Sequence, residues 1–69
     1  MKLKFNVTGM TCAACSARVE KVTGQVAGVQ KVEVNLLAGT MVVEAASDAV
    51  VGDIVSAVQK AGYGAAPAG

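Results

Sequence analysis

Residues 2–26 read KLKFNVTGMTCAACSARVEKVTGQV, and the spacing of their apolar side chains changes part-way along. Every second residue of segment 2–8 is apolar, which is typical of a strand with one buried face. After Gly9-Met10-Thr11 the apolar positions follow the stripe of a helix, at Cys15, Val19, Val22 and Val26. This segment therefore predicts a strand, a short loop and a helix that ends near Ala27, with Gly28 just beyond the last turn.

The rest of the chain predicts a hairpin, a second helix and a last short strand. Apolar residues alternate again from residue 29, and after Ala38-Gly39 a second strand places three residues inward, namely Met41, Val43 and Ala45. Ser47-Asp48 is a typical helix start, and the following apolar stripe ends at Gly62. Residues 63–66 allow a fourth strand. The order βαββαβ predicts an α+β, ferredoxin-like open-faced sandwich, in which four antiparallel strands carry both helices on one face.

Length and composition exclude several classes of protein. With 69 residues the chain forms one domain, which we assign to residues 1–66, with 67–69 as a tail or the start of a linker. The net charge of +1 disfavours nucleic-acid binding, and the lack of His removes the commonest acid–base catalyst, so we predict that the domain is not an enzyme. No apolar run is long enough to span a membrane, and we expect a cytoplasmic location.

The two cysteines form the candidate site. Only Ala13 and Ala14 separate Cys12 from Cys15, so a disulfide between them would restrain little chain. Cys12 precedes the predicted helix and Cys15 lies in its first turn, where the helix dipole and free amides favour the thiolate forms that metals bind. We therefore expect both sulfurs to meet at one point and to bind a metal ion.

The donor set favours Cu(I). Two soft sulfurs, with no carboxylate nearer in the sequence than Glu20, suit an ion that accepts low coordination by thiolates. Zinc and iron–sulfur clusters ordinarily require four ligands, which would have to come from outside the chain. A redox-active thiol pair and an inert structural pair remain alternatives, because Cys-x-x-Cys at a helix start also occurs in disulfide oxidoreductases.

The loop Gly9-Met10-Thr11-Cys12-Ala13-Ala14-Cys15 resembles the GMTCxxC signature of the heavy-metal-associated domain family, and the similarity extends over residues 2–66. This resemblance implies that Cys12 and Cys15 bind the metal in near-linear coordination. It implies that Met10 packs beneath the loop without binding metal, and that Tyr63 lies over the loop as a supporting residue. Thr11 is expected either to satisfy loop amides or to be a simple helix-start residue.

The family includes soluble copper chaperones, a mercury-binding periplasmic protein and the amino-terminal domains of copper-transporting P-type ATPases. Ala13-Ala14 and the terminal Ala-Pro-Ala-Gly favour the ATPase domain, on the cytosolic face of the membrane. The resemblance then implies transfer of Cu(I) by ligand exchange during transient docking with copper chaperone or copper ATPase domains. A free-standing copper chaperone is the alternative, followed by a mercury-handling or thiol redox module. We expect a monomer without metal, with a metal-bridged dimer as an alternative when loaded.

Charged residues on the two predicted helices are the remaining feature of the sequence. Arg18 and Lys21 follow the cysteines on the first helix, whereas Asp48 and Asp53 lie on the second. We interpret them as a solvated surface, with electrostatic steering of a partner as the alternative. Both interpretations assume that the four charges lie near the docking face.

Overall fold

The computed structural model describes residues 1–68. It consists of a four-stranded antiparallel sheet with both helices packed on one face. The strand order across the sheet is β2-β3-β1-β4. The predicted α+β, ferredoxin-like fold is therefore confirmed. The elements are β1 Lys2–Thr8, α1 Ala13–Gly24, β2 Val29–Asn35, β3 Thr40–Ala45, α2 Val51–Lys60 after a 3₁₀ turn at Asp48–Val50, and β4 Gly64–Pro67.

The core lies between the sheet and the two helices. The alternation in β1 and β3 directs their apolar residues to the helix side, and the three inward residues predicted for β3 are fully buried. Phe5 at the centre of β1 is the core's only aromatic ring. The buried apolar residues are Phe5, Val7, Val19, Met41, Val43, Ala45, Val50, Ile54 and Val58. The opposite face of the sheet carries the polar residues of β1, together with Thr40, Val42 and Glu44 of β3.

Helix α1 ends at Gly24, earlier than the predicted end near Ala27. Glycine is the least favourable helix residue after proline, and the amide of Gln25 closes the last turn by donating to the carbonyls of Lys21 and Thr23. Gly28, with φ of +93°, belongs to the turn that leads into β2 rather than to the helix end. Thr23, the residue before Gly24, is fully buried.

Strand β4 lies one residue further along the chain than predicted. It runs over Gly64–Pro67, and the amide of Ala68 donates to the carbonyl of Lys4 at 2.8 Å. Residues 67 and 68 are thus paired with β1, although composition suggested a tail from residue 67 onward. Pairing of this kind uses backbone groups and does not need side chains to bury. Gly69 lies outside the described residues.

Three connections meet at one end of the sheet, which we call the thiol end because it carries both cysteines. They are residues 9–12 after β1, residues 36–39 between β2 and β3, and residues 61–63 before β4. The strand register places them together, because Thr8 pairs with Gly64 and Thr40 pairs with both Asn6 and Asn35. Within residues 1–68, neither helix has the length and apolar character needed to cross a membrane.

Candidate metal site

The backbone at the start of α1 brings the two cysteine sulfurs together. Cys12 is the residue before the first helical residue, and its carbonyl accepts hydrogen bonds from the amides of Cys15 at 3.0 Å and Ser16 at 3.2 Å. One helical turn therefore stacks Cys15 beside Cys12, and their Sγ atoms are 3.0 Å apart. Both thiols are free; Cys12 is exposed and Cys15 is half-buried. The sulfurs thus share one proton-bridged contact at the surface.

Hydrogen bonds stabilise the thiolate of Cys15. They lower the pKa of Cys15 from 9.0 to about 6, and the largest contribution comes from the Cys12 thiol, followed by Tyr63 and then the backbone amide of Thr11. Partial burial opposes this effect by raising the pKa. The sequence attributed thiolate formation to the helix dipole, whereas the leading causes for Cys15 are these neighbouring donors. These donors therefore favour the thiolate form of Cys15.

Tyr63 lies beside the cysteine loop, as the sequence predicted. Its ring is next to Gly9, where a Cβ atom would be 3.3 Å from the Tyr63 Cδ1 atom. Interaction with Cys15 raises the pKa of Tyr63, so its hydroxyl stays protonated and serves as a donor. Gly9, with φ of +90°, is a supporting residue that sequence reasoning missed. The sequence feature that could have indicated this role is a glycine between a strand and a loop, where another group often approaches the backbone closely.

Met10 and Thr11 occupy different positions in the loop. The Met10 side chain is half-buried and packs against the core, in agreement with a structural role rather than a ligand role. Thr11 is exposed, and its hydroxyl lies 3.9 Å from the Cys15 sulfur. Cys12, not Thr11, is the helix N-cap, and no side chain caps this helix. The Thr11 hydroxyl thus faces the sulfur rather than the loop amides.

The four charges that sequence analysis grouped near a docking face are separated in the structure. Asp48 and Asp53 lie at the start of α2, at the end of the sheet opposite the cysteines. The antiparallel path of the chain after β3 explains this, because α2 begins where β3 ends. Only Arg18 acts on the site, where its charge partly offsets the rise in the pKa of Tyr63. The predicted charge asymmetry at the docking face is therefore wrong.

Two sulfurs are the whole protein donor set at this site. Among residues 1–68, no group of three or more His, Cys, Asp and Glu side chains could hold a metal ion. A soft ion that accepts two thiolates fits this arrangement without further donors, whereas a tetrahedral ion would need two ligands from elsewhere. The arrangement can also exchange thiols, because one sulfur is exposed and the other favours the thiolate form.

Sequence comparisons show that the chain is similar to a heavy-metal-associated domain and to parts of metal-transporting ATPases. The family model described as the heavy-metal-associated domain matches residues 4–64. The chain is 44% identical over 62 residues to the zinc/cadmium/lead-transporting P-type ATPase of Shigella sonnei (strain Ss046), which covers 90% of this chain and 8% of that protein. It is 42% identical over 64 residues to the copper-exporting P-type ATPase of Staphylococcus aureus (strain JH9), with 91% and 8% covered. The chain thus spans about 8% of the length of these curated relatives.

Structural comparison agrees. The solution structure of the N-terminal domain of a potential copper-translocating P-type ATPase from Bacillus subtilis, in the Cu(I)-loaded state, is 40% identical to this chain with a TM-score of 0.89. The match covers 99% of this chain and 86% of that domain. At this identity and coverage the likeness extends to the sequence as well as the fold.

Proposed function

Because the chain belongs to the heavy-metal-associated domain family, we propose that it binds Cu(I) through Cys12 and Cys15 and passes the ion to a partner by ligand exchange. The domain itself acts as a binding module rather than an enzyme. Met10, Thr11 and Tyr63 support the loop without binding the ion. Cu(I) is the cargo in this scheme, not a resident cofactor.

The observation that carries the proposal is the 3.0 Å approach of two free sulfurs at the surface, with no third His, Cys, Asp or Glu grouped with them in the described part of the chain, residues 1–68. Relatives that share this domain include transporters named for zinc, cadmium and lead as well as for copper. Those ions differ in the number of ligands they require, since Zn²⁺ normally takes four. A site of two thiolates therefore favours Cu(I).

Loading replaces a hydrogen bond with two metal–sulfur bonds. A metal–thiolate bond is about 2.3 Å long, so two sulfurs on opposite sides of one ion stand roughly 4–5 Å apart. The sulfurs must separate beyond their present 3.0 Å, and Cys12, which is exposed, has room to move. The proton shared in the thiol–thiolate contact leaves as the second thiolate binds. Cys15 serves as the preformed thiolate to which the ion binds first.

Transfer reverses these steps through a shared intermediate. A partner thiol loses its proton and adds to the bound Cu(I) as a thiolate, which gives a three-coordinate ion, and one cysteine sulfur of this chain then leaves and takes up a proton. A second partner thiol displaces the remaining sulfur in the same way. Copper stays in the Cu(I) state throughout, so no electron donor is needed. The open side of the loop makes the step accessible, because Cys12 is exposed.

The wider context that we propose is the N-terminal part of a copper-exporting P-type ATPase, on the cytosolic side of the membrane. The resemblance of this chain to about 8% of such a transporter supports this placement. A free-standing copper chaperone is the alternative. Attachment to a transporter would hold the module near its partner and allow weak, transient contacts to suffice.

A mercury-handling or thiol redox module is a second candidate function. The lowered pKa of Cys15 and its contact with the Cys12 thiol favour it, because an ionised thiol beside a second thiol is the arrangement used in thiol exchange. Reduction of an added disulfide substrate to two thiols, with formation of a Cys12–Cys15 disulfide and without metal, would support it.

X-ray absorption of the Cu(I)-loaded chain under reducing conditions tests the proposal. We expect two sulfur neighbours and no nitrogen or oxygen neighbour. Cys12→Ser and Cys15→Ser should lose retention of Cu(I) against a chelator while keeping the wild-type circular dichroism. Ser16→Ala is the matched control, because the Ser16 hydroxyl donates to the Ala13 carbonyl and not to sulfur. A four-ligand shell, or unimpaired retention in either cysteine variant, would refute the site.

A further inference from the structure

The thiol end of the molecule carries no charged side chain in its three connections. The chain has six basic and five acidic residues, yet none lies within residues 5–17, 34–43 or 61–68. These segments contain the three connections, the strand ends that flank them and the first turn of α1. Charged side chains begin at Arg18 on α1 and at Lys60 on α2, and a surface pocket beside Leu37 is also lined by Lys4, Glu20 and Glu33. The three connections of the thiol end thus form an uncharged surface, and charged residues surround it as a rim.

Apolar side chains are exposed on this uncharged end. Leu37, in the turn between β2 and β3, is 99% exposed and is the most exposed large apolar residue among residues 1–68. Half-buried Met10 and Tyr63 lie in the other two connections. Depletion of charge, together with exposed Met, aromatic and aliphatic side chains, is typical of the centre of a protein–protein interface.

The turn that carries Leu37 is held in place by two hydrogen bonds, one to a side-chain oxygen and one between backbone groups. The amide of Ala38 donates to the side-chain oxygen of Asn35 at 3.0 Å, and the amide of Val7 donates to the carbonyl of Gly39 at 2.7 Å. Val7 is two residues before Gly9, where the cysteine loop starts. Leu37 is thus presented on a turn that is tied to the strand leading into the site, so little ordering is needed when a partner binds.

We propose that the thiol end docks by apolar contact, not by charge pairing, against a domain whose own thiol loop lies on an equally uncharged end, and that Leu37 is a main contact outside the cysteine loop. The inference rests on the proposed function, since it specifies the partner that exchanges Cu(I) with Cys12. It replaces the electrostatic steering considered from the sequence.

The chemistry of the two faces restricts the occupant. A partner must bring a sulfur to Cys12, so its own loop approaches this end directly and covers the neighbouring connections. A charged partner surface would lose water there without finding an opposite charge, which is unfavourable. A partner with an uncharged apolar end has no charged group to remove from water, and covering Leu37 removes apolar surface from water, which is favourable.

A second copy of this chain has the required surface by construction and is therefore the probe. Cu(I)-loaded unlabelled chain is mixed with metal-free chain labelled with nitrogen-15, and the exchange rate is read from the amide signals of Thr11 and Cys12. We expect the rate to change less than about twofold between roughly 0.05 and 0.5 M NaCl, a range over which exposed charge pairs are progressively screened. Leu37→Ser should slow exchange about tenfold, because a buried leucine side chain is lost from the contact.

Two further variants separate docking from other effects. Leu37→Asp should slow exchange more than Leu37→Ser, because it places an unpaired charge in the contact, whereas Ala46→Asp adds the same charge at an exposed position of the opposite end and should not change the rate. All variants should retain Cu(I) as the wild type does, since none touches the sulfurs.

The outcomes distinguish the two proposals. A wild-type chain that retains no Cu(I) refutes the proposed function and, with it, this inference. A chain that retains Cu(I) but exchanges it at the wild-type rate after both Leu37 substitutions refutes the docking surface alone. A steep fall of the exchange rate with salt would show that charged surfaces bring the copies together and would also overturn the inference.

Discussion

Gly9→Ala should destabilise the domain and weaken the thiolate of Cys15 at the same time. Gly9 has φ of +90°, a conformation that residues with a Cβ rarely adopt, and its Cβ would lie 3.3 Å from the Tyr63 ring and 3.7 Å from the Tyr63 Cα. The backbone conformation alone costs roughly 1–2 kcal/mol. The short contact adds to this cost or pushes the ring away from the loop.

The size of the effect can be measured by urea unfolding. For a domain of this size the dependence of unfolding free energy on urea is about 1 kcal/mol per molar, so we expect the midpoint to fall by roughly 1–2 M. Displacement of the ring would also weaken the interaction of Tyr63 with Cys15, which is the second-largest cause of the lowered pKa. The pKa of Cys15, followed by thiolate absorbance, should therefore rise above about 6.

Gly24→Ala is the matched control. Gly24 is the last residue of α1, no atom lies within 4 Å of its added Cβ, and its φ is not positive. We expect no loss of stability and no change in the pKa of Cys15. The reasoning fails if Gly9→Ala unfolds at the wild-type urea concentration, or if both glycine variants behave alike.

Three other predictions concern pH, helix stability and the core. Because the pKa of Cys15 is about 6, protons compete with Cu(I) below that pH, so retention of Cu(I) against a pH-independent chelator should decline as the pH falls through 6. Tyr63→Phe should move this decline to higher pH, since the Tyr63 hydroxyl lowers the pKa of Cys15. An unchanged decline would show that the hydroxyl does not stabilise the thiolate. Gly52→Ala, within α2 and with open space around its Cβ, should stabilise by about 0.5–1 kcal/mol and raise the thermal midpoint by several degrees; a lower midpoint would contradict this. Phe5→Ala should cost about 3–5 kcal/mol in chemical denaturation, since Phe5 is fully buried, and a cost below about 1 kcal/mol would place the ring outside the core.

The contact between the two cysteines stabilises the metal-free site and is lost when a metal ion binds. The Cys12 thiol is the largest stabiliser of the Cys15 thiolate, and the same contact must break when a metal enters between the sulfurs. Tyr63 and the Thr11 amide are further hydrogen-bond donors to Cys15, so the Cys15 thiolate does not depend on the Cys12 thiol alone. Cys15 is therefore suited to hold the ion while Cys12 moves.

Local patterns predicted most of the fold because they reflect burial on one face. The alternation of Leu3, Phe5 and Val7 is typical of a strand with one side covered. The second helix was expected to stop at Gly62, and α2 ends two residues earlier, at Lys60. The pattern failed where burial did not follow polarity. Thr23 is fully buried, and its hydroxyl donates to the thioether of Met41 at 3.6 Å. The apolar periodicity of α1 did not predict burial at this position, because threonine is polar.

Hydrogen bonding along the backbone was equally hidden from the sequence. Residues 67 and 68 have no large side chain to bury, yet β1 offers unpaired backbone groups beside them and draws them into the sheet. Helix α1 ends where Gln25 can close the last turn, not where the apolar stripe ends. Such ends depend on partners that lie far away in the chain or on small differences in local free energy.

The sequence by itself determined the order of elements, the aliphatic core and the pair of thiols at a helix start, because each depends on residues close together in the chain. Only the tertiary structure decided that Tyr63 reaches Cys15, that Gly9 must admit its ring, and that Asp48 and Asp53 lie far from the site. It also gathered three uncharged connections at one end, with Leu37 exposed among them. The physical reason is the antiparallel register, which brings together chain segments that are dozens of residues apart and leaves the acidic start of α2 at the other end.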